Sequence, residues 1–311
     1  MFSMKFFDVL TIFVLIALLL GAGYAFIYFI PIGQRTNTGT FSNSEDYATY
    51  ANLSIKSKQF YQNLRYKDKD IAYTISSDCD SAKRENAKEA FSIISEKTII
   101  SFYQNDESPE IAVLCSDIAP TSDEKDHFIA GEGGPSRIID TGEFSVILLG
   151  KVSLYRADSC SEPKVAEHEI LHALGFDHNG NSSSILYPIT NCGQQIDSSI
   201  ISDIDRLYSV PPLPDLTIEG VEANKTGRYI NFGINISNQG LSDSLNSTLY
   251  VYSGNEEIEN YVLNDIEIGK KKMLRVGNLF SRSMDNSLRF EVKTDETELS
   301  KDNNVVDVTL E

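Results

Sequence analysis

Residues 168–178 read H-E-I-L-H-A-L-G-F-D-H and contain three of the four histidines in the chain. Side chains four positions apart share one face of a helix, so His168 and His172 can reach a single metal ion. Gly175 follows closely, at a point where a helix can end because glycine tolerates a left-handed backbone. The chain then turns back, and His178 can supply a further nitrogen. The spacing predicts a metal site with three histidine ligands.

This pattern also predicts the chemistry of the site. Three protein ligands leave one zinc position open for water, as a catalytic site requires. Glu169 lies next to the first ligand and is the expected general base for that water. The motif fixes several independent positions, so a chance occurrence on an amphipathic helix is the weaker interpretation. We predict one catalytic Zn²⁺ held by His168, His172 and His178.

The extended motif H-E-x-x-H-x-x-G-x-x-H resembles that of the metzincins, and within them the matrixins. Metzincins place a methionine-containing turn beneath the zinc, which in matrixins usually reads Met-Tyr-Pro. The corresponding residues here are Leu186, Tyr187 and Pro188, so a leucine replaces the methionine. Leucine is apolar and similar in volume, so the hydrophobic floor of the site is retained. The resemblance implies a zinc endopeptidase that cleaves polypeptides, with a closing helix at residues 197–208.

The pattern along the chain predicts an α+β fold. We expect a metzincin catalytic domain at residues 68–209, with a mixed sheet and a zinc helix, and an all-β, Ig-like sandwich at 215–311. A transmembrane helix at 1–33, a polar stalk at 34–67 and a proline-rich linker at 210–214 complete the organisation. Asp80 or Ser81 is the expected cap of a helix that ends near Lys97, and Ser161 that of the zinc helix.

The N-terminal segment is apolar and uncharged from Val9 to Ile32, which is long enough to span a bilayer. A signal-peptide core is normally shorter, at about 7–15 residues. We therefore predict an uncleaved, single-pass anchor with the catalytic domain outside the cytoplasm. The alternative is a protein secreted after signal cleavage.

The cysteines also predict a catalytic domain outside the cytoplasm. Four of them occur, without metal-motif spacing. Cys160 precedes the zinc helix and Cys192 follows the Leu186–Pro188 turn, so both lie near the site. We predict the pairs Cys160–Cys192 and Cys79–Cys115. The alternative is four buried free thiols in a reducing compartment.

The pattern changes after the proline-rich linker to seven short alternating segments, typical of a β-sandwich. The motif Asn238-Gln239-Gly240 and residues 298–304 resemble a CARDB-type sandwich, an adhesion-related module of prokaryotic surface proteins. This resemblance implies a spacer, or a module that binds a surface ligand.

The net charge of −18 argues against nucleic acid as a partner, because phosphates would be repelled. The sequence allows two alternative functions. One is a surface adhesion protein whose metzincin domain is only structural, and the other is a hydrolase of a non-protein amide in the cell envelope. The intact ligands and Glu169 favour the peptidase.

Two further expectations concern the surroundings of the site. His127, with Asp123, Glu124 and Asp126 nearby, is interpreted as part of a solvated loop, because a structural zinc needs four good ligands. A Ca²⁺ site is a further possibility that residue spacing does not reveal. We expect an extended substrate to pair with an exposed edge strand at residues 136–140.

Overall fold

The computed structural model describes residues 56–121, 129–158 and 160–310. The anchor expected at residues 1–33, the first part of the stalk and the His127 loop lie outside the described residues. No helix in the described ranges is long and apolar enough to cross a membrane.

The first domain is built on a six-stranded sheet. Strand β6 pairs with the antiparallel strand β5 along one side and with the parallel strands β1 and β4 along the other, and β2 and β3 continue the sheet beyond β4. In the described part of the chain β5 pairs with β6 alone, so it is an edge strand. The strands are β1 (Leu64–Tyr66), β2 (Asp70–Ile75), β3 (Ser101–Gln104), β4 (Ile111–Cys115), β5 (Gly131–Asp140) and β6 (Ser145–Leu154).

Three helices accompany this sheet: α1 (Ser81–Lys97), α2 (Lys164–Ala173) and α3 (Ser198–Ser209). Asp80 caps α1 by accepting a hydrogen bond from Lys83 N at 2.9 Å, as expected. The prediction that Ser161 caps the zinc helix α2 is wrong, because α2 starts at Lys164 and its N-cap residue makes no side-chain bond. Asp158 takes over this role from the preceding loop, accepting from Val165 N at 2.7 Å.

The end of the predicted stalk belongs to the catalytic domain. The side chains of Leu64 and Tyr66 in β1 are fully buried. Arg65 Nη1 donates to Val210 O at 2.9 Å, which ties β1 to the chain just after α3. Residues 64–66 are therefore part of the folded domain and not of a stalk. Tertiary packing buries this segment, although its surroundings in the sequence are polar.

The second domain is a sandwich of two sheets, as predicted. One sheet has the order β10-β9-β12-β13 and the other β11-β8-β7, with an apolar core between them. The strands are β7 (Leu216–Thr226), β8 (Tyr229–Asn238), β9 (Ser244–Ser253), β10 (Glu256–Ile266), β11 (Lys271–Phe280), β12 (Ser287–Lys293) and β13 (Val305–Thr309).

The two domains are in contact. Phe144 and Val146 of the catalytic domain form a buried apolar cluster with Val210 and with Leu241 of the sandwich. Beside it, Thr141 Oγ1 donates to Gln239 O at 2.8 Å. The turn between β5 and β6 is thus packed against the C-terminal domain.

The main difference from the sequence-based expectation concerns β5. The sequence predicts an edge strand only at residues 136–140, whereas β5 begins at Gly131. Its first half contains three glycines and a proline, which have low strand propensity. Pairing along the whole length of β6 overrides that local preference.

Candidate active site

The three histidines of the motif converge. The Nε2 atoms of His168, His172 and His178 lie 2.9, 3.1 and 3.2 Å from one another. Two nitrogens on one tetrahedral zinc, each about 2.0–2.1 Å from the metal, are separated by roughly 3.3 Å. Within the described residues, this is the one cluster of three or more His, Cys, Asp or Glu ligand atoms that could hold a metal ion. The donor set and its spacing fit Zn²⁺.

Backbone carbonyls orient two of the rings. His168 Nδ1 lies 2.6 Å from Ile185 O, and His172 Nδ1 lies 2.7 Å from Phe176 O. These bonds place the proton on Nδ1 and leave the Nε2 lone pair free for a metal. Burial lowers the pKa of His168 to about 3, and burial also lowers the pKa of His172 and of His178. The three rings are therefore neutral at physiological pH, which is the form that binds metal.

Glu169 lies at the base of the same cleft and is only 6% exposed. Burial, together with the nearby charge of Glu132, raises the pKa of Glu169 to about 8. A cation beside the carboxylate would lower this pKa. Glu169 is thus a carboxylate whose proton affinity depends on what the site holds.

Gly175 ends the zinc helix as the sequence predicts. Its φ of +99° lies in the left-handed region, which favours glycine. A Cβ atom here would lie only 2.7 Å from Leu64 Cδ2, so the position is also closed to larger residues by contact with β1. The reversal brings His178 back to the two ligands on the helix.

The Leu186–Pro188 turn directly follows Ile185, whose carbonyl oxygen lies 2.6 Å from His168 Nδ1. Leu186 is 1% exposed and belongs to the main core of the domain. Its N–H donates to Ser184 Oγ at 3.1 Å, and its carbonyl accepts from Asn179 N at 3.0 Å. Tyr187 is half-buried, whereas Pro188 is exposed and lines the cleft. Leucine thus fills the position where the metzincin resemblance places methionine.

The cleft has a volume of about 990 Å³ and is bordered by a disulfide bond. Cys160 and Cys192 form this bridge and both line the cleft, and Cys79 pairs with Cys115. Both pairings agree with the prediction. The first bridge joins the start of the zinc helix to the segment after the Leu186 turn.

The start of β5 forms the opposite wall. A Cβ atom at Gly131 would lie 2.7 Å from Glu169 Cγ, and one at Gly133 would lie 2.1 Å from Glu169 O. Only glycine permits this close approach of β5 to the zinc helix. The strand segment beside Glu169 is therefore 131–133, and the edge strand predicted at residues 136–140 is the continuation of β5. The cluster of glycines in the sequence was the available signal.

Other residues that support the site have no sequence signal of their own. Asp158 caps the zinc helix, and Lys58 pairs with Asp177 beside the third ligand. Asp203, fully buried on α3, accepts hydrogen bonds from the backbone of Lys56 and Ser57. Lys58 and Asp203 act across long sequence separations, and Asp158 lies seven residues before the backbone N–H that it caps, outside the usual capping position.

Comparison with known proteins agrees with this geometry. Residues 58–203 match the family model of the astacin peptidases, and residues 213–308 match that of CARDB. No curated protein matches the chain.

Two solved structures show partial similarity. High choriolytic enzyme 1, a hatching enzyme zinc-protease from Oryzias latipes (medaka fish), is 18% identical. The alignment covers 51% of this chain and 96% of that one, with a TM-score of 0.32. A CARDB domain from Pyrococcus furiosus, in complex with di-metal ions, is 20% identical, with 32% of this chain and 90% of that one covered and a TM-score of 0.26.

The converging histidines and the matched peptidase model define the class of this protein: it is a zinc metalloendopeptidase. More particularly, the chain carries an astacin-type metzincin domain followed by a CARDB domain. The predicted resemblance to metzincins is confirmed. The narrower resemblance to matrixins is not supported, because the astacins that match are a different metzincin family.

Proposed function

We propose that the protein is a membrane-anchored, extracytoplasmic endopeptidase in which Glu169 is the general base. The position of Glu169 carries this proposal. Its buried carboxylate lies in the cleft, directly after the first of three converging histidines and against the edge strand β5.

The residues divide the work of peptide hydrolysis. His168, His172 and His178 hold Zn²⁺, which when bound supplies a Lewis acid that polarises the scissile carbonyl. Glu169 takes a proton from the attacking water as the new C–O bond forms. It then passes this proton to the leaving amine as the C–N bond breaks. Burial raises the pKa of Glu169 and the positive charge of bound Zn²⁺ would lower it again, so the loaded site favours the carboxylate form that accepts the proton.

The edge of β5 favours an extended polypeptide as substrate. Antiparallel strands alternate between residues whose backbone groups face the partner and residues whose groups face away. Tyr155 N donates to Ala130 O at 2.9 Å, so by this alternation Gly131 and Gly133 direct their N–H and C=O groups to the open side. A substrate strand can pair with them next to Glu169.

The cysteines and the N-terminal sequence support the location. Both disulfide bonds require an oxidising compartment, and the apolar segment from Val9 to Ile32 is long enough to span a bilayer. Shaving of intact cells with an added protease should release the part of the chain after the anchor. A chain that stays protected, or that fractionates as soluble, contradicts the anchor or its orientation.

The catalytic proposal is tested with the purified full chain and a random peptide library. We expect internal cleavage that stops after dialysis against a zinc chelator and returns on addition of Zn²⁺. Glu169→Gln should retain one equivalent of zinc and the same melting temperature, while its rate falls by about 10²–10⁴, the usual contribution of a general base. Turnover by Glu169→Gln near the wild-type rate refutes the assignment.

A further inference from the structure

The C-terminal domain touches the edge strand that runs from the active site. Gly269 lies in the turn between β10 and β11, residues 267–270, which we call the distal turn. A Cβ atom at Gly269 would lie 2.5 Å from Ile139 Cγ2 and 2.9 Å from Asp140 O. The φ of Gly269 is +67°, so glycine is favoured here by the backbone as well as by the close contact. The distal turn is thus packed directly against the end of β5.

This contact lies on the open edge of β5. Thr141 N donates to Phe144 O at 2.9 Å in the β5–β6 turn. By the alternation of an antiparallel pair, the preceding residue, Asp140, directs its carbonyl away from β6. Gly269 therefore occupies the space in which a strand added to β5 would continue.

The same open edge starts at the catalytic centre. Gly131 and Gly133 lie against Glu169, and β5 continues from there to Asp140. From Gly133 to Ile139 the strand rises about 20 Å, at roughly 3.3 Å per residue, with a bulge between Pro135 and Ile138 where its pairing with β6 shifts. A substrate paired with β5 would therefore reach the distal turn about six residues from the bond that is cleaved.

The buried interface between the two domains holds the distal turn in place. Phe144, Val146, Val210 and Leu241 are all at most 3% exposed and bury apolar surface between the domains. Ile268 of the distal turn packs against this cluster, while Glu267 and Lys270 are exposed. The turn therefore presents charged side chains on a fixed base.

We propose that the distal turn of the C-terminal domain is the outer subsite of the peptidase and contacts an extended polypeptide about six residues from the scissile bond. This inference rests on the proposed function, because it takes the edge of β5 as the substrate-binding strand. It gives the C-terminal domain a role in choosing substrates: a peptide that ends short of the distal turn makes contacts with the catalytic domain alone.

Photocrosslinking tests the proposal directly. The full-length Glu169→Gln variant, loaded with zinc, is incubated with a peptide whose cleavage site has been mapped with the wild type. A benzoylphenylalanine label is moved one residue at a time, from two to about eight residues on each side of the scissile bond. We expect labels near the bond to mark residues that line the cleft, and labels about five to seven residues away on one side to mark 267–270.

The experiment distinguishes a failure of this inference from a failure of the proposed function. Proximal labels that mark the cleft, with no label that marks the distal turn, overturn this inference and leave the proposed function intact. If the proximal labels also miss the cleft, the proposed function fails and this inference fails with it.

Kinetics supply a second, independent measurement. The double variant Glu267→Ala/Lys270→Ala should raise KM for a peptide that reaches the distal turn by about two- to fivefold, the range of one or two exposed contacts. It should leave a peptide that ends four residues from the bond unchanged. The matched control Arg228→Ala/Glu256→Ala, exposed on the same domain, should affect neither peptide. An equal effect of the first variant on both peptides overturns the proposal.

Discussion

Lys58 Nζ lies 2.6 Å from Asp177 Oδ2, and this ion pair joins the start of the described chain to the loop of the third zinc ligand. The other carboxylate oxygen of Asp177 accepts from His178 N at 2.7 Å. Two backbone bonds reinforce the link, from Asp177 N to Lys58 O at 2.9 Å and from Phe60 N to Gly175 O at 3.0 Å. The segment 56–60 therefore fixes the loop that supplies His178.

This segment is itself fixed by Asp203, which is fully buried on α3. Asp203 Oδ2 accepts from Lys56 N at 2.9 Å and from Ser57 N at 2.6 Å. We predict that Asp203→Ala accelerates zinc release by about 10- to 150-fold, because hydrogen bonds to a charged group contribute about 1.5–3 kcal/mol. The measurement is the rate of transfer of zinc to a coloured chelator.

Lys58→Met should have a smaller effect of the same sign, at most about fivefold, because the lysine is exposed and such pairs contribute about 0.2–1 kcal/mol. Lys88→Met is the matched control, since Lys88 forms a similar exposed pair with Glu85 on α1. Equal zinc release from Lys58→Met and Lys88→Met would contradict a role of the ion pair in holding His178.

The two disulfides should differ in what they support. Each closes a loop of similar length, with sequence separations of 36 and 32, so the chain-entropy model gives each about 3–4 kcal/mol of stability. Only Cys160–Cys192 borders the cleft. We expect Cys160→Ser/Cys192→Ser to lower both zinc affinity and melting temperature, and Cys79→Ser/Cys115→Ser to lower the melting temperature alone. Equal losses of zinc affinity would argue against a local role of the first bridge.

Leu186 should tolerate methionine. The side chain is buried in the main core of the domain, and Leu→Met conserves volume. We expect Leu186→Met to change the free energy of unfolding by less than about 1.5 kcal/mol and to keep full zinc content. Leu186→Ala should cost about 2–5 kcal/mol, because it leaves a cavity. Urea unfolding with zinc analysis measures both, and a loss of zinc from the methionine variant would contradict the volume argument.

Asp215 should make stability depend on pH. Burial raises its pKa to about 7 from an ordinary value of 3.8, although Asn303 donates to its carboxylate. Between these values the folded protein holds a proton that the unfolded chain has released, so stability falls as pH rises from about 4 to 7. Asp215→Asn should reduce this fall by about 2 kcal/mol. Urea unfolding at pH 5 and pH 7.5 measures it.

Asp285→Asn is the control for this measurement. Asp285 is exposed, and a hydrogen bond from the backbone of Ser287 lowers its pKa, so it titrates below the same window. An unchanged pH dependence in Asp215→Asn would show that other buried groups produce the fall.

The buried interface between the domains predicts that the stability of the catalytic domain depends on the C-terminal domain. Phe144 is 1% exposed in the full chain, within the cluster that Leu241 completes. Phe144→Ala should lower the free energy of unfolding by about 3–5 kcal/mol. A chain that ends at residue 209 should melt at a lower temperature than the full chain and bind a hydrophobic dye. Calorimetry that finds the same melting temperature for the catalytic domain in both would contradict this.

Much of the active site follows from the sequence, because its determinants are local. His168 and His172 lie on one face because helix geometry is periodic, and Gly175 ends that helix because only glycine readily adopts a left-handed backbone. Alternating apolar residues likewise predict the strands of the C-terminal sandwich. The even number of cysteines, with Cys160 and Cys192 near the site and Cys79 and Cys115 left to pair, also predicts the two disulfides that the structure contains.

Tertiary structure alone decided which distant residues complete the site. Asp203 accepts a hydrogen bond from Lys56, and Gly269 lies against Asp140, while Asp158 caps the zinc helix from the preceding loop instead of from the usual capping position. None of these contacts leaves a periodic or spaced pattern, because each depends on how separate elements pack. Gly131 and Gly133 are weak strand formers, and pairing with β6 makes them part of β5. The sequence therefore determined the zinc ligands, whereas three-dimensional packing decided how the C-terminal domain meets the edge of the catalytic sheet.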